Sequence, residues 1–234
     1  IGYEGEGMSV LEMSHRSRPI VELFDGATSR VRELLDVPSN YHVLWLQGGA
    51  SLQFSMIPLN LLSEKGCADY LDTGAWSYKA IIECNRIGIA NVIGSSKDSN
   101  YTYIPNVYEQ DINSEYFHIT SNNTIYGTQY NVLPEVSRGH GPLIADMSSD
   151  ILSRPIDISK FGLIYAGAQK NMGPAGVTMV IIKDDLIGKN YRDIPSMLNY
   201  ETHVEKRSMF NTPPVSSVFA VNETLKWIEG LGGL

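Results

Sequence analysis

The feature that most constrains the fold of this chain is an alternation of short apolar runs with segments of helical periodicity. The runs are four to six residues long and the helical segments are longer, which is typical of α/β proteins. We therefore predict a three-layer α/β/α sandwich on a mixed, mostly parallel sheet. The predicted strands are residues 42–46, 67–72, 89–94, 116–120, 143–146, 163–166 and 177–182, and the main predicted helices are residues 20–35, 52–62, 73–86 and 215–228.

The last two predicted strands are joined by ten residues, 167–176, that contain a lysine among small residues. So short a connection predicts that the two strands are antiparallel or not adjacent, because parallel neighbours need a longer crossover. The glycines leave space beside Lys170, and partial burial would lower the pKa of its amine, as a Schiff-base lysine requires. The alternative is a hairpin loop with an exposed lysine.

A second candidate feature is a strand that runs into Gln47-Gly48-Gly49-Ala50-Ser51, directly before a predicted helix. Free backbone N–H groups and the positive end of a helix bind phosphate in this arrangement. The sequence is neither a Walker loop nor GxGxxG, so it indicates a phosphate-bearing ligand without a nucleotide signature. An ordinary turn between strand and helix remains the alternative.

Polar and aromatic residues follow several other strands. Asp146 ends an apolar run and, if buried, needs a cationic or hydrogen-bonding partner. Lys170, which follows the next predicted strand, could face the same pocket. Trp76 follows a strand, where it could stack on a flat ring or simply pack. The polar residues 121–124 could serve a ligand or only stabilise a turn. Arg16, at the entrance to the first helix, could clamp an anion or be solvated.

Composition excludes several classes of function. The net charge of −8 argues against nucleic acid or an anionic membrane surface as a partner. No apolar run is long enough to span a bilayer, and no N-terminal signal pattern is present. Two cysteines without a CxxC spacing indicate a reducing, cytoplasmic compartment. The five histidines lack metal-ligand spacing, so no metal site is expected.

Three local expectations concern the ends of elements and of the chain. Residues 101–104 are expected to form a short strand. Thr212 is expected to cap the last helix, with Pro213 as its first residue. The chain starts at Ile1 without a methionine and ends in a glycine-rich pentapeptide, so we expect a piece of a longer protein.

Seven motifs, in order along nearly the whole chain, together resemble one family. They are Met13-Ser14-His15-Arg16-Ser17, Gly48-Gly49-Ala50-Ser51-Leu52-Gln53-Phe54, Thr73-Gly74-Ala75-Trp76-Ser77, Asn123-Thr124-Ile125-Tyr126-Gly127-Thr128, Ala145-Asp146-Met147-Ser148-Ser149, Gly167-Ala168-Gln169-Lys170-Asn171 and Asn211-Thr212-Pro213-Pro214. The set is similar to the phosphoserine aminotransferase family, in the class V group of fold-type I pyridoxal-phosphate enzymes.

The resemblance implies a role for several residues around the pyridoxal phosphate ring. Lys170 would form the Schiff base with the cofactor and then move the proton during catalysis. Asp146 would keep the pyridine nitrogen protonated. Trp76 would stack on the ring, and Thr124 would hydrogen-bond its hydroxyl group.

The same resemblance implies the residues around the anionic groups. Ala50 and Ser51, with help from Gln169, would bind the cofactor phosphate. Asn211 and Thr212 would reach the phosphate in the neighbouring subunit, which implies a homodimer. The family match also places the substrate's anionic groups beside Arg16 and His15.

The implied reaction is amino transfer between L-glutamate and 3-phosphohydroxypyruvate, giving O-phosphoserine and 2-oxoglutarate in serine biosynthesis. A related step in pyridoxine biosynthesis is a further expectation. Residues 1–16 would be an N-terminal segment, 17–230 the large cofactor-binding domain, and 231–234 the start of a linker to a small C-terminal domain that holds a histidine–arginine pair.

Three alternatives remain open. The first is another class V transaminase, such as the alanine–glyoxylate type. A cysteine desulfurase is the second, although Cys67 at the start of a strand and Cys84 in a helix both indicate structural cysteines. The third is an inactive, dimerising fragment.

Overall fold

The computed structural model describes residues 2–189 and 191–234, so Ile1, in the predicted N-terminal segment, lies outside the described residues. Its α-helices are α1 (Arg18–Leu34), α2 (Gly49–Leu61), α3 (Ala75–Cys84), α4 (Tyr200–Glu205) and α5 (Val215–Gly230). Its strands are β1 (Tyr41–Leu46), β2 (Cys67–Asp72), β3 (Ile89–Ser95), β4 (Phe117–Thr120), β5 (Asn122–Asn123), β6 (Thr128–Gln129), β7 (Leu143–Asp146), β8 (Phe161–Gly167) and β9 (Thr178–Lys183).

Seven of these strands form one mixed sheet in the order β1-β9-β8-β7-β4-β2-β3. The strands from β3 to β8 in this order pair in parallel. Strand β9 is antiparallel to both neighbours, β8 and β1. Of the two arrangements predicted for the strands on either side of the lysine-containing loop, antiparallel or not adjacent, the structure has the antiparallel one.

Helices cover both faces of the sheet, which gives the predicted three layers. Helices α1 and α5 pack on one face, while α2, α3 and α4 pack on the other. Side chains of a strand alternate between the two cores: in β1, Trp45 belongs to the α1/α5 core and Leu44 to the α2/α3 core. Because both faces are covered, the central strands are almost completely buried, which explains their continuous apolar runs.

Two small expectations were wrong. Helix α5 begins at Val215 with Pro214 as its N-cap, so Thr212 does not cap it and Pro213 is not its first residue. Pro213 precedes a second proline, which disfavours helical dihedral angles at Pro213 itself. Residues 101–104 form no strand, because Tyr101 adopts a left-handed conformation (φ 57°) and turns its buried hydroxyl to Asp72.

A short helix and a small hairpin were not predicted. Helix α4 lies in a stretch that lacks a clear periodicity, and it begins where the Asn199 side chain accepts a hydrogen bond from the backbone N–H of Glu201. Strands β5 and β6 form a small antiparallel hairpin within the polar segment that follows β4. This hairpin carries Thr124 at its turn.

Candidate active site

A cleft of about 100 Å³ opens at the carboxyl ends of the parallel strands. This edge is where ligands bind in open α/β sheets. Six residues singled out from the sequence line it: Ala50, Ser51, Trp76, Asp146, Gln169 and Lys170. The fold thus brings together residues that lie up to 120 positions apart, between Ala50 and Lys170.

Lys170 follows β8, and its amine faces the cleft. The Nζ atom donates hydrogen bonds to Thr124 Oγ1 and, at 3.0 Å, to Ser149 Oγ. These two hydroxyl oxygens lie 2.6 Å apart, so they form a single hydrogen-bonding site for the amine. The Nζ atom also lies 5.1 Å from the centroid of the Trp76 ring. Partial burial lowers the pKa of the Lys170 amine, while the charge of Asp146 opposes this shift.

Asp146 ends β7 and is 4% exposed. Its carboxylate accepts hydrogen bonds from the backbone N–H of Ser148 at 2.9 Å and from the Ser148 hydroxyl at 2.7 Å. The hydroxyl in turn accepts the backbone N–H of Gly167 at 3.0 Å. Burial raises the pKa of Asp146, and the Ser148 hydrogen bonds and the Lys170 charge lower it. The expected partner of this buried acid is thus Ser148, with Lys170 acting at longer range.

The N-terminus of α2 forms the other end of the cleft. Leu52 makes the first backbone hydrogen bond of the helix, to Gly48, and α2 has no side-chain cap. The N–H groups of the first turn therefore remain available to an anion. Gly48 is required here because its φ is +86° and a Cβ atom would lie 2.6 Å from Leu52 Cβ.

Trp76 lies in the first turn of α3, and the hydroxyl group of Ser77 stabilises the start of this helix. The Ser77 hydroxyl accepts the backbone N–H groups of Thr73 and Gly74, both at 2.9 Å. Two buried polar atoms of residues that line the cleft, Trp76 Nε1 and Thr120 Oγ1, have no hydrogen-bond partner among the described residues. Buried polar atoms are normally paired, so these two indicate a polar ligand in the cleft.

Five predicted site residues are not among those that line the cleft. One is Thr124, although its hydroxyl contacts the Lys170 amine. Arg16 is exposed before α1, and His15 is half-buried, with an Nε2 atom that has no partner in the described part of the chain. Asn211 donates to Gln47 Oε1 at 3.3 Å, and the carbonyl oxygen of Thr212 accepts from Gln47 Nε2 at 3.2 Å. Asn211 and Thr212 are therefore tied to the residue that leads into the α2 turn, and their predicted roles stay predictions.

Sequence reasoning missed three residues of the cleft: Thr120, Ser148 and Ser149. Ser148 and Ser149 directly follow Asp146 in the motif Ala145-Asp146-Met147-Ser148-Ser149, so their position after a strand-ending acid was an available signal. Thr120 ends a predicted strand, but periodicity alone does not tell a packed threonine from one that lines a site.

The two cysteines lie away from the chemistry of the cleft. Cys67 begins β2, at the strand end opposite the cleft, and is half-buried. Cys84 is buried in α3, and burial raises the pKa of its thiol. A buried thiol with a raised pKa is a poor nucleophile, which argues against a desulfurase.

The part of the chain that the structure describes contains neither a membrane-spanning helix nor a metal-binding cluster of side chains. None of the helices in the described ranges, 2–189 and 191–234, is long and apolar enough to cross a membrane. Within those same ranges, the side chains of histidine, cysteine, aspartate and glutamate form no group able to hold a metal ion.

Comparison with known proteins points to one family. The family model described as aminotransferase class-V matches residues 2–233. A phosphoserine aminotransferase of Halalkalibacterium halodurans is 52% identical over 100% of this chain, which covers 64% of that protein. The chain thus spans about 64% of the length of this curated relative.

Two solved structures have the same fold. The phosphoserine aminotransferase from Bacillus circulans subsp. alkalophilus is 48% identical, with a TM-score of 0.94 over 100% of this chain and 64% of that one. A phosphoserine aminotransferase from Trichomonas vaginalis, described as bound to PLP, is 41% identical, with a TM-score of 0.93 over 99% of this chain and 69% of that one.

Proposed function

Because the chain belongs to the class-V aminotransferase family, we propose that it forms the cofactor-binding part of a pyridoxal-phosphate-dependent phosphoserine aminotransferase. The observation that carries this proposal is the cleft in which the Lys170 amine, the Asp146 carboxylate and the Trp76 indole face one space beside the N-terminus of α2. The similarity to phosphoserine aminotransferases at about 50% identity supports the particular activity.

The residues of the cleft fit pyridoxal phosphate in their chemistry. The N–H groups of the first turn of α2, the Ser51 hydroxyl and the Gln169 amide would hold its phosphate. Asp146 would pair with the pyridine nitrogen, and Trp76 would stack on the ring. The buried and unpaired Thr120 hydroxyl supplies a further polar group at the cofactor site.

Pyridoxal phosphate, when bound, supplies an electron sink for the carbanion that forms at the substrate Cα atom. Lys170 is the residue of the chain that acts on this carbon atom. Because the pKa of the Lys170 amine is lowered, a larger fraction of the amine is neutral and can act as a nucleophile and base. Lys170 would then carry the proton that leaves the substrate Cα atom. Thr124 and Ser149 orient the amine toward the cleft.

The substrates are proposed to be L-glutamate and 3-phosphohydroxypyruvate, which places the activity in serine biosynthesis and, through a related substrate, in pyridoxine biosynthesis. The exposed guanidinium of Arg16, with His15 beside it, would bind the anionic groups of the substrate. The division into an N-terminal segment (1–16), a large domain (17–230) and the start of a linker (231–234) also stays a proposal.

A homodimer completes the proposed site. Asn211 and Thr212 of the partner subunit would contact the cofactor phosphate. Within one subunit both residues bond to Gln47, next to the phosphate-binding turn. A cytoplasmic location, where both cysteines would stay reduced, is part of the same proposal.

The test is an amino-transfer assay on the chain with added pyridoxal phosphate, L-glutamate and 3-phosphohydroxypyruvate. We expect formation of O-phosphoserine, and the Lys170→Ala variant should lose about 10²–10⁴-fold in rate because the proton carrier is missing. Turnover of alanine and glyoxylate instead would favour the other class V transaminase. Cofactor binding without any turnover would favour a dimerising, inactive fragment, and absence of cofactor binding would contradict the proposal.

A further inference from the structure

A row of buried aromatic rings lies behind Asp146, on the α2/α3 face of the sheet. Tyr165, His118 and Tyr70 are each at most 1% exposed. They lie on β8, β4 and β2, and strand register places Tyr165 opposite Asp146 and His118 opposite Tyr70. None of the three lines the cleft, and the function proposed above uses none of them.

Tyr165 lies next to Asp146 in the sheet and contacts the His118 imidazole. Its hydroxyl oxygen lies 2.9 Å from His118 Nε2. Strand register sets Tyr165 beside Asp146, and burial together with the nearby Asp146 charge raises the pKa of Tyr165. On its far side, the imidazole stacks on the Tyr70 ring, with centroids 4.8 Å apart and an interplanar angle of 28°. The contacts fix the imidazole ring between two tyrosines.

The protons of this group can be arranged in two ways. Burial lowers the pKa of His118 to about 3, so the imidazole is neutral and has one N–H donor and one acceptor nitrogen. Its Nδ1 atom has no hydrogen-bond partner in the described residues. Tyr165 has a single hydroxyl proton, which can go either to His118 or to Asp146.

The two arrangements differ in which buried polar group is left without a hydrogen-bond partner. If Tyr165 donated to His118, its oxygen would face the Asp146 carboxylate as a second acceptor, and a buried Nδ1–H donor would stay unpaired. If His118 Nε2–H donates to Tyr165, the Tyr165 hydroxyl is free to donate to Asp146, and every polar hydrogen is used. Only the Nδ1 lone pair then remains unpaired, and an unpaired buried acceptor is better tolerated than an unpaired N–H.

We propose that Tyr165 and His118 form a positioning pair in which His118 Nε2–H donates to Tyr165 and the Tyr165 hydroxyl donates to Asp146. The pair holds the buried carboxylate in its charged form and fixes its orientation. Only the consequence for a cofactor ring nitrogen rests on the proposed function; the arrangement of protons is a property of the chain itself.

The first test is the tautomer of His118 in the full chain without cofactor. Long-range ¹H–¹⁵N correlation spectra of ¹⁵N-histidine-labelled protein distinguish the two neutral tautomers. The signal of His118 is assigned among five histidines by its loss in His118→Phe. We expect the Nε2–H tautomer, and an Nδ1–H tautomer would overturn the proposal.

The second test removes the linking hydroxyl in Tyr165→Phe. Titration of ¹³C-labelled aspartate, with Asp146 assigned by its loss in Asp146→Asn, should show a higher pKa for the Asp146 carboxyl in the variant. The affinity for pyridoxal phosphate, measured by absorbance titration, should fall about tenfold, equivalent to about 1.4 kcal/mol. An unchanged Asp146 titration in folded Tyr165→Phe would overturn the proposal.

Tyr41→Phe is the matched control. It also deletes a buried tyrosine hydroxyl, which donates to the Phe161 carbonyl oxygen at 2.6 Å, but Tyr41 belongs to the α1/α5 core. The Asp146 titration and the cofactor affinity should stay unchanged in this variant. If the unmodified chain binds no pyridoxal phosphate, the proposed function fails, while the His118 tautomer and the Asp146 titration still decide on the positioning pair.

Discussion

Ser148→Ala removes the hydroxyl group that connects Asp146 to the neighbouring strand. In the structure this hydroxyl donates to the Asp146 carboxylate at 2.7 Å and accepts the Gly167 N–H at 3.0 Å. A hydrogen bond to an ionised group contributes about 1.5–3 kcal/mol, and an unpaired buried N–H costs about 1–3 kcal/mol. Because the backbone N–H of Ser148 still serves Asp146, we expect a loss of about 2–4 kcal/mol in the free energy of unfolding at pH 7.

The loss should depend on pH. The Ser148 hydroxyl lowers the pKa of Asp146, so its removal raises the pKa of this carboxyl further in the folded state. Below the pKa of the unfolded chain, about 3.9, the carboxyl is protonated in both states and the charge contribution vanishes. As the pH rises above this value, the folded state of the variant is increasingly penalised. The destabilisation should therefore be larger at pH 7 than near pH 4.

Urea unfolding at both pH values measures this effect. Ser217→Ala is the matched control, because its hydroxyl donates at 3.0 Å to a neutral carbonyl oxygen, that of Ala175; it should cost about 1 kcal/mol at either pH. In the Asp146→Asn background, Ser148→Ala should cost less than in the unmodified chain, since the charge is gone. Equal losses at both pH values, or full additivity with Asp146→Asn, would refute the view that Ser148 stabilises the charged carboxylate.

Three further substitutions test the surroundings of the cleft. The His118 pKa of about 3 lies below the value for an unfolded chain, so the free energy of unfolding should fall by up to about 1.4 kcal/mol per pH unit as the pH drops below about 6.5. Urea unfolding of His118→Phe should show a weaker dependence on pH. Equal slopes for the two proteins would contradict a neutral buried imidazole. Thr120→Val removes an unpaired buried hydroxyl, so urea unfolding should show unchanged stability or a gain of about 1 kcal/mol. Absorbance titration should show weaker cofactor binding by the same variant. A loss of stability would mean that the hydroxyl has a partner within the chain. In the same titration Trp76→Leu should weaken binding about 2- to 12-fold, because it removes a stacking contribution of about 0.5–1.5 kcal/mol. Unchanged affinity would argue that the indole only packs.

Much of the fold could be predicted because buried strands and amphipathic helices leave distinct patterns. Strands β7 and β8 are covered on both faces, so they are continuous apolar runs. The reversal at β9 followed from the length of the loop that carries Lys170. The start of α5 and the turn at Tyr101 depended on single backbone angles, which hydrophobic periodicity does not report.

The site was predicted less completely, and the reason is strand register. Residues such as Lys170 and Asp146 stand out because an isolated charge beside an apolar run needs an explanation. The contacts of Tyr165 with Asp146 and His118 depend on which residues lie opposite one another in the sheet, and no local pattern contains that information. No role could therefore be predicted for Tyr165 or His118 from the apolar runs that contain them.

The central claim is that Lys170 is the residue that bonds covalently to pyridoxal phosphate in this cleft. The most direct measurement is a visible absorption spectrum of the chain with added cofactor, followed by borohydride reduction and peptide mapping by mass spectrometry. The account predicts a yellow protein in which the reduced cofactor is attached to Lys170 alone. A colourless protein, or a label distributed over surface lysines such as Lys65 and Lys226, would contradict it.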